Sequence, residues 1–568
     1  MKILLPKEVK SFVFTELNLV ELNNIEVDRL LPHIYELAIK GNRYGKALKD
    51  FSEKAYETDY LPRLLARPSL QGFALITEGR DVVDAWLRSS VVAFGRSGVS
   101  HKTAKMDYIR ARTLAAYRAG FPDRRRSRQA DRVIYIQMLN EVERRQQAGL
   151  LPTDGNAIQV IREWVRDSVG EGVTITDPPV WAPEYDGKTA IDISTLLSLF
   201  FLEGFTQDLD QKKEKTPLDA HYRTFPAVPA AAAPLGRDVV SYLLNYRHST
   251  PLQTAQHLTA ILGIRLFQLP LRTSLAVHEL IEMDSEDIRA GTLPSDMQTV
   301  DFANPLEQYV DFSGDPTSTS SELARSCVQR DLRLMQTGLR DRLTLLTVKR
   351  AAETSEELPA EYDKWTGPQR FSYLVEAVGN PILEPYFKAD LQAIRKANLE
   401  KSEDEETLAY MQALGSSNRS ALERLTEVVY EATKTRAPRA SLAWFRDTGG
   451  LNRAIGMLAG DSLRRETWSY APGNDLVTAL LGIVFSNDHG VPRREMLLSE
   501  VLSNLAERFG LLIDRPPTEF DMVATRAAAN ANLDAFKRRL KLLGVFDGLS
   551  DDFNAQIVMN PLLLGETT

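Results

Sequence analysis

A single apolar stripe decides the fold class. Val328, Leu332, Met335, Leu339, Leu343 and Leu346 recur at three- and four-residue steps through residues 322–352, behind a cap at 318–321. That spacing places all six side chains on one face of a helix. A helix with so long a seam needs another helix laid along it, which predicts helix-on-helix packing rather than a sheet core.

The same periodicity recurs at 27–40, 46–56, 81–94, 131–147, 239–246, 251–269, 273–281, 368–378, 385–398, 405–414 and 420–433. Ser249-Thr250-Pro251 supplies a cap followed by a first-turn proline. At 568 residues the chain exceeds one ordinary core, and roughly 100 to 200 residues per domain suggests three or four units. The expected divisions are an N-terminal helical unit at 1–170, a connector at 171–236, a central helical domain at 237–470 and a C-terminal unit at 471–568. Within the connector, a short apolar helix at 191–204 precedes the clearest linker, 207–236, whose prolines predict an extended path. The 288–316 stretch reads as irregular. No repeat of fixed period emerges.

The C-terminal unit has its own order. Apolar-periodic segments at 475–485, 494–509 and 518–543 are broken by Asn487-Asp488-His489-Gly490 and Arg515-Pro516-Pro517, and a β-prone end follows at 556–559. That order predicts a winged-helix-like unit, and the fold class is mainly α, multidomain, with this unit at the C-terminus. Its third helix carries Lys537, Arg538, Arg539 and Lys541, with Asn532 one face away, and these five are candidate DNA contacts. The same helix could instead dock a protein.

Charge gives a second candidate. The chain is acidic, with formal net charge -8. Yet residues 101–132 hold ten Lys and Arg against three Asp. Lys102, Lys105, Arg112, Arg124, Arg125, Arg126 and Arg128 are the candidate phosphate contacts, with Lys105, Tyr108 and Arg112 expected on one helix face. Replacing Arg124, Arg125, Arg126 and Arg128 together should flatten the salt dependence of DNA binding. The competing reading is that these arginines pair with the chain's own carboxylates or with an acidic partner.

Chemistry is harder to find. Cys327 is the only cysteine, so a disulfide framework and a cysteine-based zinc site within the chain are excluded; a buried helix residue in a reducing cytoplasm is expected. The stretch 95–103 approaches a phosphate loop but has His101 where that motif needs Gly. His278 and Glu282 stand one helical turn apart without a third ligand. Glu184-Asp186-Lys188 and Glu361-Asp363-Lys364 carry nuclease residue types, but in loop-like stretches rather than on adjacent strands. The expectation is no catalytic set, no metal and no cofactor. The N-terminal apolar block is too short for a signal peptide, and no run nears the ~18 apolar residues of a spanning helix.

Two passages carry a resemblance. Arg464-Arg465-Glu466-Thr467-Trp468-Ser469-Tyr470-Ala471-Pro472 with Asp475-Leu476-Val477, and Asn532-Leu533-Asp534-Ala535-Phe536 through Leu549-Ser550-Asp551-Asp552, resemble the closing region of large helical accessory proteins in bacterial anti-phage defence operons. Tyr246-Arg247-His248-Ser249-Thr250-Pro251 adds to it. The resemblance implies a cytoplasmic subunit working beside a separate nuclease, ATPase or methyltransferase, and no catalytic residue carries over. The expected function is therefore a non-enzymatic, nucleic-acid-engaging accessory subunit of a defence complex, with DNA and the operon's other subunits as partners and no membrane. The alternatives are a helical scaffold that binds only proteins and, less favoured, a divergent metal-dependent nuclease.

Overall fold

The computed structural model describes residues 2–6, 9, 17, 19–40, 53–90, 93–95, 105–108, 127–170, 172–174, 184–203, 226–282, 306–434, 436–546 and 556–564. The principal N-terminal helices are α1 (Leu30–Ile39), α2 (Leu61–Leu65), α3 (Gly79–Ser90), α4 (Ala130–Gln147), α5 (Ala157–Val169) and α6 (Ile193–Glu203). Then come α7 (Pro229–Tyr246), α8 (Pro251–Glu282), α9 (Thr319–Thr354), α10 (Glu384–Lys401), α11 (Glu405–Ser416), α12 (Ala421–Thr433) and α13 (Ala437–Thr448). The chain closes with α14 (Asn474–Phe485), α15 (Leu498–Phe509) and α16 (Val523–Leu542). Strands are short: β1 (Ala93–Gly95), β2 (Lys105–Tyr108), β3 (Val173–Thr174), β4 (Glu184–Tyr185), β5 (Gln308–Tyr309), β6 (Leu458–Ala459), β7 (Ser469–Tyr470), β8 (Glu495–Leu497), β9 (Leu511–Leu512) and β10 (Ile557–Met559). The protein is mainly α-helical.

Helix α9 is the predicted one. Ser318 caps it by accepting from Ser321 N, and Val328, Met335, Leu339 and Leu343 are buried where α9 meets α8 and α12. One main core gathers buried residues between Val9 and Val558. A second, smaller core gathers Tyr56, Leu61, Val83, Leu87, Leu199 and Phe201 from α2, α3, α6 and the turn before them.

Three expectations are corrected. Pro229 begins a helix rather than belonging to an extended linker, and α7 continues through Pro234. Proline suits the first turn, where its missing N–H costs nothing, and alanine is the strongest helix former. Ala230, Ala231, Ala232 and Gly236 are also small enough to press α7 against α4: a Cβ on Gly236 would lie 2.0 Å from the Gln137 carbonyl oxygen. Second, residues 251–282 form one helix, not two, with Pro270 inside it. Pro270 cannot donate to the Leu266 carbonyl one turn back. The Trp444 indole Nε1 donates to that oxygen instead, at 3.1 Å. Third, Lys105–Tyr108 is strand β2, antiparallel to β1, and not helix.

By length and composition α8 could cross a membrane, but 89% of its most apolar window is buried inside the protein. Around its middle the aromatic residues stack. Phe445 lies parallel to Trp468 at 6.4 Å and edge-on to Phe267 at 4.6 Å.

A buried polar seam joins the C-terminal helices to this core. Asp238 on α7 is fully buried and accepts from Arg265 Nε on α8 at 2.6 Å and from Arg508 on α15 at 2.7 and 3.0 Å. Burial alone would push its carboxyl up, but Arg265, Arg508 and Arg237 outweigh that and hold it well below the usual carboxylate range. Arg265 continues to Gln268, which donates to Gln308 and to the Phe509 carbonyl. Gln308 donates in turn to Asp331, which also accepts from the Tyr470 hydroxyl at 2.6 Å. Alongside, β5 pairs in parallel with β9.

One histidine makes this core sensitive to acid. Tyr242 Oη and His257 Nδ1 are 2.9 Å apart, and burial pushes the His257 imidazole down to about 4. An unfolded imidazole takes its proton near pH ~6.5, so between the two values the unfolded chain binds more protons and stability falls as pH falls, by about 3 kcal/mol in all. His257→Asn, which keeps an acceptor for Tyr242, should flatten urea midpoints across that window; an unchanged slope would remove His257 as the cause.

Candidate nucleic-acid interface

The C-terminal elements follow the order α14, β8, α15, β9, α16, β10. Gly510 ends α15 in the left-handed region at φ 66, where glycine is the residue of least strain. β10 pairs antiparallel with β8, Ile557 opposite Leu497, and Val558 bridges to Phe546 on its other side. Three helices thus carry a small antiparallel sheet in the order 546, β10, β8. Met496 and Val558 face the core; Leu497, Ile557 and Met559 are exposed.

Helix α16 presents its polar face unevenly. Arg538 and Lys541 are exposed. Arg538 makes no ion pair among the described residues, and the Lys541 ammonium lies 5.9 Å from the Phe546 ring centroid. Arg539 donates to Asn474 Oδ1 at 2.5 Å, and Lys537 stands 3.7 Å from Asp534. Asn532 is corrected outright. It is fully buried, donating to the Val310 and Ile513 carbonyls at 2.8 and 3.0 Å and accepting from Phe312 N at 2.7 Å. It fastens α16 to the strand ends beside it and cannot reach a ligand.

Of the basic stretch, Lys102, Arg112, Arg124, Arg125 and Arg126 lie outside the described residues, and Lys105 is placed in β2. Arg128 is corrected. Its side chain is buried, with Nε donating to the Asn24 carbonyl, Nη2 to Asn24 Oδ1 and Nη1 to the Glu21 carboxylate at 2.8 Å. An arginine so engaged holds the chain, not phosphate.

Arg128 instead floors a cleft of about 710 Å³ between the residues leading into α1 and the loop after α13. Arg446, in the last turn of α13, and Arg453, in the loop after it, line that side. Asp28 accepts from both Arg453 terminal nitrogens at 2.9 and 2.7 Å, while Asp447 holds the Nε edge of Arg446. Asp447 also accepts from Ile25 N at 3.1 Å, tying the two walls together. The backbone here is unusual: Arg128, Gln129 and Asn452 have φ of 57, 67 and 58, in the left-handed region that costs most residues free energy. Sequence reading missed this cleft, since its walls meet across more than four hundred residues; Gly449-Gly450 was the only local signal.

The chemical candidates resolve into structure. His278 Nδ1 lies 3.2 Å from Asp341 on α9. Asp186 accepts from Lys188 N and Thr189 N, forming a turn. Cys327 is buried and its thiol is pushed up to about 12, chiefly by burial, which leaves no thiolate for nucleophilic work. Among the described residues no group of three or more His, Cys, Asp or Glu side chains is placed to hold a metal ion.

A family model described as methylation-associated defense system protein MAD7 matches residues 7–562. This chain belongs to the MAD7 family. The match spans the cleft, the seam and the whole C-terminal unit, so the family's extent is that of the fold described here and not of one module. It agrees with the resemblance to defence-operon accessory proteins carried by residues 464–477 and 532–552. No curated protein and no solved structure matches.

Proposed function

We propose that this chain is a cytoplasmic, non-enzymatic subunit of the methylation-associated defence system that engages nucleic acid through its C-terminal unit. The observation that supports this reading is the order 546, β10, β8 beside α14, α15 and α16, an arrangement similar to a winged helix, in which α16 would be the helix that meets DNA. Arg538 and Lys541 are the exposed cations of that helix, and Arg526 joins them while paired with Asp521 at 2.6 Å. Family membership supports the company of the operon's other gene products.

The experiment is a salt titration of duplex DNA binding by the full chain. Each phosphate contact contributes about 0.9 to the log–log slope, so Arg538→Gln with Lys541→Gln should lower it by about two. Arg124→Gln, Arg125→Gln and Arg126→Gln together form the second arm. Wild-type slopes in both arms would leave DNA without a contact in either candidate region.

A second reading has its own observation. Leu497, Ile557 and Met559 are 37–40% exposed on the outer sheet face, and Leu542 at the end of α16 is 84% exposed. Apolar side chains grouped at a surface suit a protein partner. Loss of co-purifying operon subunits from Leu497→Ser with Ile557→Ser, with DNA binding intact, would favour this scaffold reading.

A further inference from the structure

We infer that the cleft over Arg128 is a binding site for a nucleoside phosphate, either a free mononucleotide or the phosphorylated end of a strand. Two arginines point to the anion. Arg446 and Arg453 are 47% and 41% exposed, and each is fixed along one side by a carboxylate. Among the described residues Arg446 Nη1 and Arg453 Nε have no partner, so each of these two cleft-lining guanidinium groups keeps a donor open. An arginine already held in one orientation loses little freedom when it takes a phosphate oxygen, and the planar fork matches phosphate geometry.

Size decides between phosphate alone and something larger. A bare phosphate would leave most of about 710 Å³ empty, whereas cavities of roughly 300–1,000 Å³ hold ligands of nucleotide size and upward. The lining suits both halves of a nucleotide. Leu451 offers apolar surface for a base or sugar, with Ile25 and Leu30 buried in the wall, and Ser127, Ser462 and the Asn24 amide nitrogen offer hydrogen bonds. Carboxylates tied up by their arginines do not repel the anion as free ones would. Arg128, which lines the cleft, has a left-handed backbone at φ 57, a conformation that costs a non-glycine residue free energy and recurs at binding sites. The site is separate from α16 and does not depend on the winged-helix reading.

The test is calorimetric titration of the full chain with the nucleoside 5′-monophosphates, with inorganic phosphate, and with a short single strand bearing either a 5′-phosphate or a 5′-hydroxyl. Saturable binding of a monophosphate identifies the free nucleotide as the source; binding only of the 5′-phosphorylated strand identifies a strand end. Arg446→Gln with Arg453→Gln should weaken either by about ten-fold or more. Ser462→Trp, which adds bulk at an exposed lining position and leaves both arginines in place, should weaken it too, so the site remains testable if the double variant misfolds. No binding by any probe, inorganic phosphate binding as tightly as the nucleotides, or wild-type affinity in folded variants would each overturn the assignment.

Discussion

Asp238→Asn is expected to lower the unfolding free energy by about 3–5 kcal/mol, the usual cost of removing one partner from a buried ion pair. The reason is the imbalance it leaves. Arg265 and Arg508 converge on one carboxylate with no exposure to water, and neutralising that carboxylate strands the buried Arg265 guanidinium in a medium that solvates it poorly, while Arg508, 21% exposed, keeps some access to water. Arg265 is already pushed down to about 10 by burial, even with Asp238 beside it. The pH dependence has a definite sign. The carboxyl is depressed in the folded state, so its stabilisation is complete above the unfolded value near ~4 and fades as pH falls below it. The gap between wild type and variant should therefore be constant near neutrality and narrow in acid. Urea midpoints that coincide at pH 7 would show that the seam contributes nothing.

Asn532→Ala should be nearly as damaging while leaving α16's outer face untouched. Its amide satisfies three backbone groups, the Val310 and Ile513 carbonyls and the Phe312 N–H. Each group stranded without water costs about 1–3 kcal/mol, so a loss of several kcal/mol follows even if one finds a substitute. Compared at a temperature where the variant is folded, its DNA affinity should match wild type. A variant of wild-type stability with weakened DNA binding would reverse this assignment and return Asn532 to the interface.

These two residues mark what the sequence could and could not reveal. The α9 stripe was legible because helical spacing is local, and its partners had only to be other helices. Residues 226–236 are misleading because proline breaks a helix interior, whereas Pro229 sits in a first turn and the alanines after it pack against α4. Asn532 and Arg128 are misleading for a different reason: polar side chains of this kind are mostly exposed, and these two are buried. Asn532 meets Phe312 across 220 positions, Arg128 meets Glu21 across 107, and Arg508 meets Asp238 across 270. No periodicity records such pairings. The same distance hid the cleft, while the order of elements in the last hundred residues was readable because turn signals punctuate it locally.

Pro270 and Trp444 form a linked pair of positions. The proline leaves one carbonyl of α8 without its helical donor, and the indole from α13 fills the gap. A relative that replaces the proline with an ordinary residue regains that donor, and its indole nitrogen must then find another acceptor or give way to phenylalanine. Across family members the two sites should change together, and a natural sequence pairing proline with phenylalanine should be rare.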